Sequence, residues 1–141
     1  MAPLHFLAEC ARASGWAVSM VIGAQTAGDV IFTRRFEALG AQVTITTEEG
    51  SQGERGLATD AAEQRLDQAA SVAIYACGPE PMLKAVDQIG IRLKVPGQLS
   101  LEAPMPCGYG VCLGCVVPLT SGGHARVCAD GPVFDIGEVK L

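Results

Sequence analysis

The chain has 141 residues, 49% of them hydrophobic and 18% charged, with a formal net charge of −5. That length suits one domain, or one domain with a small appended module, and the apolar share suits a packed core rather than a disordered chain. The acidic balance argues against surfaces for nucleic acid or anionic membranes, which recruit basic patches. The longest apolar run, Trp16 to Ala24, is strand-sized and too short to span a bilayer.

Pro3 suits the first turn of a helix, where its missing N–H costs nothing. Leu4, Leu7, Ala8 and Ala11 follow at helical spacing, and Gly15 ends the run. Cys10, inside this helix, is expected in the core as a spectator. Ala17 to Ile22 predicts an apolar strand of the kind that is covered on both faces, and residues 23–28 a loop. Val30 to Leu39 predicts a helix with Ile31, Phe32, Arg35, Phe36 and Leu39 on one buried stripe, stopped by Gly40. Val43 and Ile45 mark the next strand, and residues 48–56 form a polar, glycine-punctuated loop.

A helix is expected from Ala58 to Ala69, a strand from Val72 to Ala76, and a helix carrying Met82, Leu83, Val86 and Ile89. This alternation predicts an α/β fold with a parallel sheet, whose ligands bind beyond the carboxyl ends of the strands. The loops at 23–28, 48–56 and 77–81 leave strands at that edge. Glu48 or Glu49 is placed to hydrogen-bond a ribose hydroxyl, or else belongs to a solvated acidic turn. Gly53 and Gly56 let the loop lie against a dinucleotide, or serve as ordinary turn glycines. No G-x-G-x-x-G follows a strand, and the first element is a helix.

The chemistry concentrates in Cys107, Cys112, Cys115 and Cys128, spaced C-x4-C-x2-C-x12-C. This is the plant-type ferredoxin spacing, in which four thiolates hold a [2Fe–2S] cluster. Glycines 108, 110 and 114 let one loop turn tightly around the sulfides with its amides inward. Structural zinc usually takes two close cysteine pairs, and only Cys112 and Cys115 form one here. A disulfide framework needs an oxidising compartment, and the sequence shows no export signal, so a reducing, cytoplasmic setting is expected. Val116 to Leu119 and Ala125 to Val127 predict a hairpin whose turn, Ser121 to His124, lies between the third and fourth ligands. His124 and His5 are not expected as ligands. Tyr109, Val111 and Leu113 either exclude water from the cluster or form a docking surface.

The chain resembles the electron-transfer subunits of class B dihydroorotate dehydrogenase and, more broadly, the ferredoxin–NADP reductase superfamily. The resemblance rests on Ala2-Pro3-Leu4, on Cys77-Gly78-Pro79-Glu80-Pro81-Met82, on the cluster loop, and on residues 126–134, Arg-Val-Cys-Ala-Asp-Gly-Pro-Val-Phe. It implies an NAD-binding, reductase-like α/β domain at residues 1–97, N-terminally incomplete, and a small β-rich [2Fe–2S] domain at 98–141. It also implies that Cys77 faces a nicotinamide–flavin contact shaped by Gly78 and Pro79. Electrons would pass between NAD(H), FAD, the cluster, and FMN in a separate catalytic subunit that oxidises dihydroorotate for pyrimidine biosynthesis. That subunit is the expected hetero-oligomeric partner.

The family carries an FAD-binding β-barrel and the first strand of the NAD domain ahead of the segment read here. This sequence contains neither, so the chain alone is not expected to be active. Two other readings stand beside the relay. One is a reductase subunit of a hydrogenase or transhydrogenase complex. The other is a non-enzymatic, zinc-stabilised assembly module.

Overall fold

Helix α1 (Ala2–Ala13) begins as expected, with Pro3 in its first turn. Its inward face is narrow. Ala8 is buried and Leu4 packs beside it, while Phe6 and Leu7 meet solvent. Cys10 is exposed too, so it is not the core residue expected. The Arg12 guanidinium donates to the carbonyls of Leu39 and Trp16 and fastens the end of the helix.

The computed structural model describes residues 1–66 and 72–141, which form two compact units, Met1–Ala69 and Ala70–Leu141. In the first, β1 (Ser19–Ala24) and β2 (Gln42–Thr47) pair in parallel, with Met20 opposite Val43 and Ile22 opposite Ile45. A two-residue strand, β3 (Glu54–Arg55), continues the sheet beside β2, so β1 forms one edge. Between β1 and β2 runs α2 (Thr33–Ala38), shorter than the helix expected over residues 30–39. Phe32 sits in the left-handed region at φ 68, which an α-helix cannot pass through, so the helix starts only at Thr33. Ile31 is consequently exposed, and Phe36 alone of the predicted stripe is fully buried, among Ala8, Met20, Ile22 and Ala41. Helix α3 (Ala58–Leu66) follows. Residues 67–69 of its predicted span, and the approach to the next strand at 70–71, lie outside the described residues.

In the second unit, β4 (Ile74–Cys77) leads into α4 (Glu80–Leu93), which buries Leu83, Val86 and Ile89 at helical spacing. Lys94 closes that helix in the left-handed conformation. Strand β5 (Gly97–Ser100) pairs in parallel with β4. The chain then makes the hairpin β6 (Val116–Pro118) and β7 (His124–Arg126), with His124 opening β7 rather than ending the turn. Strand β8 (Val133–Asp135) returns antiparallel to β5, setting Phe134 opposite Leu99. The resulting core joins Ala76, Leu83 and Val86 to Leu99, Val127, Phe134 and Val139. The cysteine-bearing segment therefore folds onto β4, α4 and β5, and the 97/98 border drawn from sequence falls inside one core. Asp87, on α4, is buried and accepts the Gly137 N–H at 2.7 Å, which ties the last turn to the helix.

Among the described residues, no helix is long and apolar enough to cross a membrane.

Candidate functional site

The segment between β5 and β6 carries Cys107, Cys112 and Cys115, and Cys128 lies just beyond β7. The hairpin brings the fourth cysteine back. The Val127 N–H donates to the Cys115 carbonyl at 3.0 Å, and the Cys128 N–H points at Cys115 Sγ at 3.4 Å. Thiol-to-thiol hydrogen bonding links Cys107 with Cys112 and Cys115 with Cys128, and the charge of Cys107 is felt at Cys128 as well.

Backbone amides converge on these sulfurs. Tyr109 N–H lies 3.4 Å from Cys107 Sγ, and Gly114 N–H lies 3.4 Å from Cys112 Sγ. The Cys107 thiol is thereby lowered to about 6, first by the Tyr109 amide, then by the amide and thiol of Cys112 and the amide of Val111. Cys115 is lowered chiefly by the Cys128 amide. Cys128 moves up, because the neighbouring Cys115 sulfur and burial both disfavour a second negative charge. Gly108 and Gly110 have positive φ, and Leu113 is held at φ 59, the kind of backbone strain that gathers at binding sites.

Among the described residues, no three His, Cys, Asp or Glu side chains stand together closely enough to hold a single metal ion. Two pairs of thiols under inward amides suit a binuclear cluster, in which each iron takes two protein ligands. One tetrahedral zinc would draw all four to one point. The donor set thus fits a [2Fe–2S] group.

Sequence reasoning singles out neither Arg126 nor Asp130, which enter it only within the motif at residues 126–134. The Arg126 guanidinium grips the Asp130 carboxylate by two bonds, Nε to Oδ2 at 2.9 Å and Nη2 to Oδ1 at 2.8 Å. Its Nη1 donates to the Gly110 carbonyl at 3.2 Å. The pairing holds the Asp130 carboxyl down at about 2 and raises the guanidinium. The only sequence signal was opposite charge four residues apart, which means little outside a helix.

Tyr109, Val111 and Leu113 are 85%, 78% and 63% exposed, so within this chain they do not seal the cysteines from water. Dryness comes from beneath, where Cys115 and Val127 are buried in the core of the second unit.

The candidate nucleotide residues fall in both units. In the first, Glu48 follows β2 with an exposed side chain, its N–H donating to the Ala24 carbonyl at 3.1 Å. Gly53 is packed so that a Cβ would overlap the Ile45 carbonyl, and its φ is +70. The loops at this edge are stitched by the Ala27 N–H to Ser51 Oγ at 2.8 Å. In the second unit, Cys77 ends β4, Gly78 follows with Met82 against it, and Pro79 is the N-cap of α4. His124 is exposed, and His5 lies edge-on to Phe36 with Glu9 at 3.6 Å.

Comparison with known proteins matches two segments of the chain. A family model for the oxidoreductase NAD-binding domain matches residues 4–88. One for the iron–sulfur cluster binding domain of dihydroorotate dehydrogenase B matches residues 102–140. The dihydroorotate dehydrogenase B (NAD(+)) electron transfer subunit of Caldanaerobacter subterraneus subsp. tengcongensis is 40% identical over 99% of this chain and 55% of its own length. That of Geobacillus sp. (strain WCH70) is 42% identical over 99% of this chain and 53% of its own. The chain spans about half the length of these relatives. A solved structure of an NADH-dependent reduced ferredoxin–NADP oxidoreductase, described for flavin-based electron bifurcation, superposes with a TM-score of 0.80. It is 28% identical, over 97% of this chain and 49% of that one. The chain belongs to the oxidoreductase NAD-binding family, and its residues 102–140 are similar to the iron–sulfur cluster binding domain of dihydroorotate dehydrogenase B.

Proposed function

We propose that the chain relays single electrons between NAD(H) with FAD and a partner redox subunit, through a [2Fe–2S] cluster held by Cys107, Cys112, Cys115 and Cys128. The observation that carries this reading is the two-and-two pairing of thiols under inward amides, in the segment that matches the cluster-binding family. When bound, the cluster supplies one-electron transfer. The chain's own residues fix the sulfurs, aim amides at them and bury one side of the site. Cys77, Gly78, Pro79, Glu48 and Gly53 are the candidate contacts for the dinucleotide. In this reading FAD is held mainly by the FAD-binding barrel that the resemblance implies, not by these residues.

The partner in this reading is an FMN-containing dihydroorotate dehydrogenase catalytic subunit in a hetero-oligomer, which places the chain in pyrimidine biosynthesis. The setting in this reading is cytoplasmic, where thiols stay reduced and available to iron. The direction of electron flow follows from the potentials of the partners, and plant-type clusters lie near about −400 mV.

The test is the visible spectrum of anaerobically purified protein, with iron and acid-labile sulfide counted in the same sample. Equal iron and sulfide, with absorbance that bleaches on dithionite reduction, is the expected result. A colourless protein holding zinc after attempted cluster reconstitution sinks the relay and leaves the assembly module. Saturable NAD(H) binding is expected, and its absence removes the reductase half. The likeness to the ferredoxin–NADP oxidoreductase favours a second reading, a reductase subunit of a transhydrogenase-type complex. Which flavin subunit co-purifies decides between the two.

A further inference from the structure

We propose that Arg126 and Asp130 are a pair of positioning residues that set the reduction potential of the cysteine site through one peptide group, Gly110–Val111. The inference rests on the reading of the four cysteines as cluster ligands. It starts from where that peptide lies. Its carbonyl, on Gly110, accepts from Arg126 Nη1 at 3.2 Å. Its N–H, on Val111, is one of the amides near the Cys107 sulfur that favour its charged form. The preceding N–H, on Gly110 itself, acts in the same way on Cys128. Gly110 is buried, and a Cβ there would come within 3.0 Å of both Arg126 Nη1 and Ala129. This residue thus stands between the ligand loop and the fourth cysteine, and Arg126 is the side chain that holds it.

A cation on the carbonyl oxygen polarises the peptide and makes its N–H a stronger donor to sulfur. Stronger donors to the ligand sulfurs favour the reduced cluster, which carries one more negative charge. Asp130 works against this. It takes two donors of the fork and also accepts the Arg126 backbone N–H at 2.8 Å, which offsets the positive charge and fixes the aim of the third donor. Arg126 and Asp130 therefore push the potential in opposite directions. Lysine lacks the fork and cannot grip the carboxylate and the carbonyl together in this geometry. The competing account is a brace for the turn after β7. With both side chains about 40% exposed, such a brace would stabilise the fold only weakly.

The experiment compares the midpoint potentials of the cluster-loaded wild type, Arg126→Gln, Arg126→Lys and Asp130→Asn. Each is titrated anaerobically and followed by visible absorbance and by electron paramagnetic resonance. Arg126→Gln is expected below the wild type, Arg126→Lys between the two, and Asp130→Asn above the wild type. Shifts of the same sign, or unmoved potentials alongside lowered melting temperatures, overturn the proposal in favour of the brace. If Arg126→Gln does not retain iron, Arg126→Lys and Asp130→Asn carry the comparison with the same expected signs. A wild type that takes up no iron overturns the cluster reading itself, whereas an iron-loaded wild type whose variants do not move overturns only this inference.

Discussion

Gly53 shows how one residue can carry two explanations until its surroundings are known. As a loop glycine beyond β2 it suited contact with a dinucleotide. In the structure its backbone passes so close to Ile45 that a methyl group would overlap the carbonyl, and its φ of +70 is one that side chains disfavour. Packing alone requires glycine here. Gly53→Ala is expected to destabilise the first unit by about 1–3 kcal/mol, the usual cost of a strained left-handed residue, read as a lowered urea midpoint without ligand. An unchanged midpoint would refute that account. The four cysteines were legible because ligand spacing is written along the chain. The Arg126–Asp130 fork was not, because its third donor reaches Gly110, sixteen residues away, only after β7 has folded against the loop. Cys10 was misplaced for a related reason: helical spacing gives a stripe but not its width, and Ala8 with Leu4 already fills the narrow contact.

At the scale of elements, the hairpin β6–β7 and strand β8 do the assembling. The hairpin returns Cys128 to Cys115, and β8 anchors the whole segment by laying Phe134 against Leu99. Phe134 is 3% exposed, and its ring lies so close to Gly131 that a Cβ there would overlap it. Phe134→Ala is expected to cost about 3–5 kcal/mol, as for other buried aromatic truncations. Faster loss of iron from the folded protein should accompany it, because the platform under Cys115 and Cys128 loosens. Unfolding and iron release followed in one sample check this, and full stability with normal iron retention would contradict it. Helices α1 and α4 were readable from apolar periodicity. The early part of α2 was not, since the pattern over residues 30–39 is helical while Phe32 takes a left-handed conformation at φ 68.

For the molecule as a whole, the exposed side chains of the cysteine loop matter most. Tyr109 and Val111 stand 85% and 78% exposed beside the candidate ligands. Under the proposed function, that apolar rim is where an electron-accepting subunit would exclude water on docking. Tyr109→Ser combined with Val111→Ser is expected to reduce co-purification of the flavin subunit several-fold while iron content and spectrum stay unchanged. Undiminished association would move the docking site elsewhere. The two sheets, β1-β2-β3 and β4-β5-β8, each end on a parallel strand, β1 in one and β4 in the other.

By itself the sequence determined the four candidate ligands, the α/β alternation and the hairpin that returns the last cysteine. Each of these is encoded locally, as a spacing, a period or a turn. Tertiary structure decided that the cysteine segment shares a core with β4, α4 and β5, that the thiols face one another in twos, and that Arg126 grips a loop peptide. Those facts depend on contacts between residues far apart in the chain, and such contacts exist only once burial of Leu99, Val127 and Phe134 has fixed which segments meet.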